Sequence, residues 1–542
     1  MDTILFGQVD WSVTKTAAIA CIAAPIAIVA LRHIKGLSSK KLPLPPGPRG
    51  LPFIGNALDI PQDNPWETYK GWSDQYGSDI IHLKVLGGDL IVLDSLEACK
   101  ELLEKRSSIY SSRPRMTMMN ELLGFSWHFA FMPYNEEWRE RRKIFQQALH
   151  PTRVEAYRER LVRGVRNLLL QLLDDPDNFR GHGRLLSGAF ILGITYGLDI
   201  KSDEDNYIQQ AERAMVSMSA AGTSSYMVDF LPSLRMLPSW FPGAKFKRDA
   251  KLWSPDAIAL PRDCLRFVED GLVGTNLVAR GDAPPCIATE LLEELAPDDR
   301  DYVEKKRAIH DVLGAAYAAG ADTTVSAFAT FFLCMIQNPD IQKKAQEVID
   351  EAISNLGRLP DFTEYKTLPY IEALVREVIR WRPVTPVCIS MTSTSTAVPH
   401  EVTEDDVYKG YHIPAGATIL ANVYSISHDP SIYGPNPAKF NPARFMDASQ
   451  TSINPDMPMG YDAFGYGRRV CPGLQIAVES IWLVVVSVLA VFDLRPEVGE
   501  KEGFVRYNSG MLIHADPFKM RFIPRSKEAV ELIRNTETAT NM

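Results

Sequence analysis

A chain of 542 residues, 46% hydrophobic and 23% charged, carries enough apolar side chain for a large core and too much for intrinsic disorder. Its 58 Lys and Arg against 67 Asp and Glu leave a net charge of −9, which argues against a general nucleic-acid partner. Cys21, Cys99, Cys264, Cys286, Cys334, Cys388 and Cys471 are scattered without a C-x-x-C pair, which is reducing-compartment usage and no disulfide framework.

Ala17 to Leu31 is almost wholly apolar, broken only by Pro25. It is short against the roughly 20 residues of a membrane span, but Trp11 and Val13 extend it and Lys15 can snorkel. A cleaved signal peptide is the competing reading; no small-residue cleavage site follows, whereas Arg32, Lys35, Lys40 and Lys41 do. That basic flank puts the rest of the chain on the cytosolic side. The expected organisation is an anchor with its flank over 1–40 and one domain over 41–542, entered through a stiff proline-rich hinge at 43–52.

Ile80 to Val85 and Leu90 to Leu93 flank Gly87-Gly88 and predict a β-hairpin. Met116 to Met132 is rich in Met, Phe and Trp without clean periodicity, as in a core loop. Trp138 to Lys143 predicts a helix on which Trp138 and Arg142 share one face and Arg139 and Lys143 another. Residues 150–290 are helical by pattern and carry no catalytic motif. Within them Phe230 to Trp240 is apolar and proline-punctuated, either a buried loop or one that touches a membrane. Tyr302 to Ile336 predicts a single helix of about 35 residues, roughly 50 Å long. Its middle, Ala319-Gly320-Ala321-Asp322-Thr323-Thr324, weakens it with glycine and two threonines, which suits either a close packing site or a functional one. Two opposite-charge pairs, Glu372/Arg376 and Glu377/Arg380, follow on the next helix, and then the Ser/Thr-rich run Cys388 to Ala397.

The last informative stretch is Phe464-Gly465-Tyr466-Gly467-Arg468-Arg469-Val470-Cys471-Pro472-Gly473. It reads as a glycine-rich loop that presents one cysteine and enters a buried helix from Leu474 to Leu489, with Pro472 at the first helical position. Unpaired N–H groups there favour a thiolate, a soft ligand for iron. Gly465 and Gly467 let the backbone approach a flat ligand, and Arg468 and Arg469 offer charge to carboxylates nearby.

These residues resemble the haem-binding signature of the cytochrome P-450 family, F-x-x-G-x-R-x-C-x-G, matched at Phe464, Gly467, Arg469, Cys471 and Gly473. The resemblance runs from Leu44 to about Arg525 and is closest to fungal microsomal members, within them to basidiomycete enzymes of secondary metabolism. It implies a mainly α fold with small β-sheets, preceded by one N-terminal transmembrane helix. It implies haem b with Cys471 on the iron, and Trp138 and Arg142 of a W-x-x-x-R motif on the propionates, with His400 as a basic residue near one of them. The oxygen-binding motif [AG]-G-x-[DE]-T-[TS] matches at Ala319 to Thr324: a local kink makes room for dioxygen, only the small residues Gly320 and Ala321 stand near the iron, and Asp322 and Thr323 relay protons. Glu377 and Arg380 match E-x-x-R, and Arg444 completes their charge network, with Ala443 where relatives carry Glu. Met116 to Met132 and Ser509 to His514 fall where the family lines its substrate pocket. Cys388 to Ala397 stands where relatives have almost nothing, a protrusion or a gene-model artefact.

The implied function is insertion of one oxygen atom from O2 into a lipophilic secondary metabolite, a terpenoid first and a polyketide-derived or aromatic compound second. Electrons come from NADPH through NADPH-cytochrome P-450 reductase, with cytochrome b5 as a further donor; the acidic donor would meet the Arg139/Lys143 face. The implied location is the endoplasmic reticulum membrane, single-pass, with the catalytic domain cytosolic. A non-oxygenating haem-thiolate isomerase or dehydratase and a silent haem sensor are the competing classes; the intact Asp322-Thr323 pair stands against both.

Overall fold

The computed structural model describes residues 42–540 apart from 62–63, 224–225, 276–285, 297, 299, 355, 387–397, 498–504 and 509–511. The expected anchor at Ala17 to Leu31 and the run Cys388 to Ala397 lie outside the described residues.

The chain divides into two units. The smaller contains residues 405–413, with 42–45 as its described N-terminal part. The larger takes 46–404 and 414–542 and holds every residue of the candidate site.

In the larger unit the architecture is mainly helical with small sheets, as expected. Strands β1 (Ile80–Val85) and β2 (Gly88–Leu93) form the predicted antiparallel hairpin, with Val85 opposite Gly88. Its two turn residues are therefore Leu86 and Gly87, with φ of 48° and 91°. Gly88, read as a turn residue, belongs to the strand; Leu86 takes the left-handed position instead, as a two-residue hairpin turn demands. β2 also pairs in parallel with Thr418–Ala421, which pairs antiparallel with His400–Glu401. The second half of the expected hinge is docked on this sheet. His82 N–H donates to Pro46 O at 2.9 Å, and a Cβ on Gly47 would fall 2.0 Å from His82 O.

The helices that position the site are α1 (Glu136–Ala148), α2 (Phe179–Tyr196), α3 (Asn206–Thr223), α4 (Tyr302–Gln337), α5 (Pro369–Trp381) and α6 (Leu474–Val491). α4 has 36 residues, about 54 Å at 1.5 Å per residue, and packs on α1, α2, α5 and α6. α6 is apolar on most of its surface, with Gln475, Glu479, Ser480 and Ser487 as its polar side chains, and such a helix must be enclosed. α4 and α6 are both long and apolar enough to cross a membrane, yet 61% and 83% of their apolar windows are buried within the protein; they are core helices. The segment read as a core loop, Met116 to Met132, is indeed core: Met118, Leu123, Phe125, Trp127, Phe129 and Phe131 are buried among the helices. Phe230 to Trp240 differs from the buried alternative. Leu231, Met236 and Trp240 stand 48%, 83% and 77% exposed, so part of its apolar surface faces outward.

Candidate functional site

The loop from Phe464 to Gly473 folds as a closed bracket. Cys471 N–H donates to Phe464 O at 2.7 Å, which ties its two ends together. Gly465 has φ 79° and ψ −170°, open to glycine almost alone. Gly467 has φ 56°, and a Cβ there would sit 2.1 Å from Leu103 O. At Gly473 φ is −90°, and a Cβ would make ordinary contact with Cys471 Sγ at 3.8 Å. That glycine is required neither by dihedral nor by space among the described atoms; its N–H points at the thiol. Helix α6 starts at Leu474, so Pro472 sits in the turn before the helix and not at its first position.

Burial pushes the Cys471 thiol up, while the Gly473 N–H and the Arg142 charge pull it down. Desolvation thus outweighs the thiolate-favouring loop, contrary to the reading from the sequence; a cation on the sulfur would reverse the balance. Among the described residues no cluster of three or more His, Cys, Asp or Glu is set to hold a bare metal ion.

Buried cations converge beside the loop. Trp138 and Arg142 lie on the inward face of α1, with Arg139, Glu140 and Lys143 exposed on the other, as the four-residue spacing predicts. The Arg469 guanidinium lies 4.2 Å over the Trp138 ring and donates to Ser111 O, Phe129 O and Met132 O at 2.7, 3.3 and 2.7 Å. Burial pushes Arg469 down to about 8, and Arg113 and Arg142 push the same way. Burial also lowers Arg142, whose Nε has no hydrogen-bond partner. Among the described residues neither Arg142 nor Arg469 has a carboxylate to pair with. A guanidinium keeps its proton, so this is a pocket of surplus positive charge with an orphan donor, a fit for a dianionic group. Exposed Arg468 is separate: it reaches the Tyr134 hydroxyl and the Tyr134 ring.

His400 is also buried here, but it is no cation. Burial first and then Arg113 hold it well below its ordinary value. Its Nδ1–H donates to Tyr110 O at 2.7 Å, which leaves Nε2 as an acceptor. The expected basic residue is a neutral imidazole.

On α4, the segment Ala319 to Thr324 lies within one continuous helix. Two of its carbonyls accept side-chain hydroxyls. Ser187 Oγ donates to Gly320 O at 2.7 Å, and Thr323 Oγ1 donates to Ala319 O at 2.8 Å. The missing side chain of Gly320 faces α2, where a Cβ would fall 2.6 Å from Ile191 Cγ1; here glycine permits close helix packing. Asp322 Oδ2 meets His514 Nε2 at 3.1 Å.

Glu377 and Arg380 are both fully buried and paired through two hydrogen bonds of 2.7 and 2.9 Å. Arg444 Nε approaches the same carboxylate at 3.1 Å, and the Asn441 N–H at 2.7 Å. Three residues separated by 67 positions thus form one charge cluster, and Ala443 leaves it intact. The second pair, Arg376 with Glu372, sits nearer solvent, with Glu372 38% exposed.

Three functional contacts escaped the sequence reading. Arg141 is buried and paired with Asp311 at 2.8 Å, tying α1 to α4; two adjacent arginines on a helix were the available signal. Arg113 holds Val398 O, Pro399 O and Ala130 O. The third is the contact of His514 with Asp322; Ser509 to His514 was expected at the substrate pocket, but nothing local in the sequence pairs it with α4.

The cytochrome P-450 family profile matches residues 45–522. A cytochrome P-450 monooxygenase of Postia placenta, number 98, is 39% identical over 92% of this chain and 94% of its own length. A cytochrome P-450 monooxygenase of Hericium erinaceus is 37% identical over 92% of each chain. Tryptamine 4-monooxygenase of Psilocybe cyanescens is 35% identical over 90% of this chain and 94% of its own. With a family profile across most of the chain, relatives matched nearly end to end, and a thiol loop beside an anion-seeking pocket, the chain belongs to the cytochrome P-450 family of haem-thiolate monooxygenases.

Proposed function

We propose that the protein is a haem-dependent monooxygenase of fungal secondary metabolism in which Cys471 is the iron's protein ligand. The observation that carries this reading is the orphan Arg142 Nε within a buried, uncompensated cation pocket beside the Cys471 loop. A haem placed there would supply dioxygen activation and oxygen-atom insertion into an unactivated bond, the chemistry that belongs to the cofactor.

The chain's own residues then have distinct tasks. Arg142 would take a propionate, and Trp138 and Arg469 would form the wall behind it. His400 Nε2 would accept from a protonated or water-bridged group and offers no charge of its own. Phe464, Gly467 and Gly473 hold the Cys471 sulfur in place. Gly320 serves the α4–α2 contact. Asp322 would take protons from solvent and pass them towards the Thr323 hydroxyl, the acid–base part of the reaction. The Glu377–Arg380–Arg444 cluster fixes the frame and does no chemistry.

Outside the pocket, electrons would come from NADPH through a reductase, docking on the exposed Arg139/Lys143 face with cytochrome b5 as a further donor. Residues 1–40 would anchor the domain in the endoplasmic reticulum membrane, and the outward apolar side chains of Leu231, Met236 and Trp240 would rest on the same surface. The buried Met- and Phe-rich segment Met116 to Met132 suits a lipophilic substrate, for which a terpenoid is the first choice. An aromatic substrate is the second reading, favoured by the name of the tryptamine-oxidising relative.

Reduced protein with carbon monoxide should show the red-shifted Soret band of thiolate ligation, and Cys471→Ala should abolish it. A retained band in Cys471→Ala would overturn the ligand assignment. Incubation of the yeast-expressed full chain with NADPH, reductase, labelled oxygen and candidate terpenoid and indole precursors separates monooxygenation from isomerisation and the two substrate classes from each other.

A further inference from the structure

Asp322 does not face a closed interior. It lines an open cleft of about 420 Å³ whose wall is largely apolar, with Ile208, Met215 and Val325 among its side chains, and whose polar groups are those of Arg180 and Arg184 of α2, Glu212 of α3, and Asn508 and His514 of the C-terminal segment. Asp322 and His514 side chains are 30% and 28% exposed, so solvent reaches both. Their 3.1 Å contact joins residues 192 positions apart.

The segment that carries His514 is held in register from three sides. Ser326, one helical turn beyond Asp322, donates from Oγ to Ile513 O. Arg180 donates from its two terminal nitrogens to Ala515 O and Asp516 O at 3.1 and 2.6 Å. Asn508 accepts the His514 N–H at 2.9 Å and donates its own N–H to His514 O at 3.0 Å. Five hydrogen bonds thus fix the imidazole against one carboxylate oxygen. The other charges in the cleft are committed: Arg184 pairs with Glu212 at 3.0 Å, and the Arg180 guanidinium holds the two carbonyls. The hydroxyl of Tyr317, also on the wall, donates to Tyr207 O at 2.7 Å. His514 is then the one imidazole among the cleft-lining residues, and it touches Asp322 directly.

We infer that His514 is a positioning residue for proton delivery: from the cleft it fixes the Asp322 carboxylate and exchanges protons with it. In the transfer, the Nε2–H bond of the imidazolium breaks, an Oδ2–H bond forms on Asp322, and water in the cleft returns a proton to Nε2. No electrons move. An imidazole nitrogen can both give and accept a proton, which suits it to exchange with water in the cleft. The inference rests on the proposed role of Asp322.

The test compares Asp322→Asn, His514→Gln and His514→Phe in the full chain with NADPH and reductase. Gln preserves a donor to Asp322 but cannot release and regain a proton as imidazole does; Phe removes both functions. All three should keep the thiolate carbon-monoxide band. Asp322→Asn should divert NADPH into hydrogen peroxide. His514→Gln should raise the peroxide fraction at least about threefold near neutral pH, a small part of the 10²–10⁴ that acid–base assistance commands. It should also change the shape of the pH profile of the peroxide-to-product ratio, because the group that gives and regains the proton is gone. As a readout apart from turnover, the carbon-13 resonance of the His514 ring, identified by its loss in His514→Gln, should shift in Asp322→Asn.

If Asp322→Asn uncouples but His514→Gln does not, the inference falls and the relay reading stands. If Asp322→Asn itself leaves coupling unchanged, the relay reading falls. A His514→Gln enzyme that is uncoupled equally at every pH, with the profile's shape intact, would reduce His514 to a structural contact and also overturn the inference.

Discussion

Helix α5 carries two carboxylate–arginine pairs that look alike in sequence, and removing each carboxylate should have very different consequences. Glu377 and Arg380 are fully buried, and the Arg444 side chain is 6% exposed. Glu377→Gln leaves two guanidiniums enclosed with no negative charge. Arg380 keeps Ser427 O and Pro437 O, and Arg444 keeps Tyr433 O and Lys439 O, so hydrogen bonding is only partly lost. The uncompensated charge remains, and breaking a buried pair from one side costs about 3–5 kcal/mol. Glu372→Gln removes a carboxylate that is 38% exposed, where water substitutes for it, although Arg376 is only 9% exposed, and should cost about 1–2 kcal/mol, between an exposed pair and an enclosed one. Arg444→Met takes away one cation and should fall between the two. Urea titration of the haem-loaded full chain, followed by the Soret band with linear extrapolation, reads the difference. Equal losses for Glu377→Gln and Glu372→Gln would refute the argument that enclosure, and not pairing as such, gives the cluster its weight.

Gly467→Ala should destabilise by about 2–4 kcal/mol, because it adds a left-handed alanine to a collision with Leu103 O, whereas Gly87→Ala, with φ 91° and open space around it, should cost only the backbone term of about 1–2 kcal/mol; comparable urea midpoints would contradict this. Burial pushes the Asp229 carboxyl up to about 6, from an ordinary 3.8, against which the Met118 and Thr117 N–H groups pull down. The folded state therefore holds a proton that the unfolded state has released, stability falls as pH rises from about 4 to 6 by about 1–3 kcal/mol, and Asp229→Asn should erase that slope in melting curves. Replacing Met236 and Trp240 by Ser in a chain lacking residues 1–40 should lower its co-flotation with phospholipid vesicles, and unchanged flotation would remove the exposed patch from the membrane surface. Arg142→Met should leave the haem-free protein as stable or more stable while it weakens haem retention; parallel losses in both states would show that Arg142 already has its partner within the chain.

What the sequence made legible was local. The length of α4 followed from an uninterrupted apolar pattern, and its end at Gln337 lies one residue beyond the expected Ile336. The cysteine loop was legible because five residue types sit at fixed spacings within ten positions. The α1 faces followed from a four-residue repeat. What failed was pairing at long range. Arg141–Asp311 spans 170 positions and Asp322–His514 spans 192, and no periodicity encodes either. Glycine was ambiguous for a different reason. Gly467 is required by its dihedral and by Leu103, while Gly320 is required by Ile191 across a helix contact; in sequence both are the same absent side chain. Gly88 and Leu86 exchanged roles because a two-residue turn fixes which positions take positive φ, and the residue types alone left the register open.

Three of the sets of enclosed arginines can be compared by one physical rule. Enclosing a guanidinium costs several kcal/mol that only an anion or a dense set of acceptors returns. Arg141 finds Asp311, and Arg380 with Arg444 finds Glu377; both sets are neutralised within the chain. Arg469 finds three carbonyls but no carboxylate among the described residues, and Arg142 Nε finds nothing. The first two sets are parts of the fold in its own right. The third is unbalanced as the chain stands, and it lies beside the one cysteine that the glycine loop presents. A ligand bearing carboxylates and an iron would discharge both debts of that pocket, the charge on Arg142 and the raised Cys471 thiol, at one site. Binding and folding are then linked by mass action, so haem supply should set how much of the protein is folded as well as how much is active.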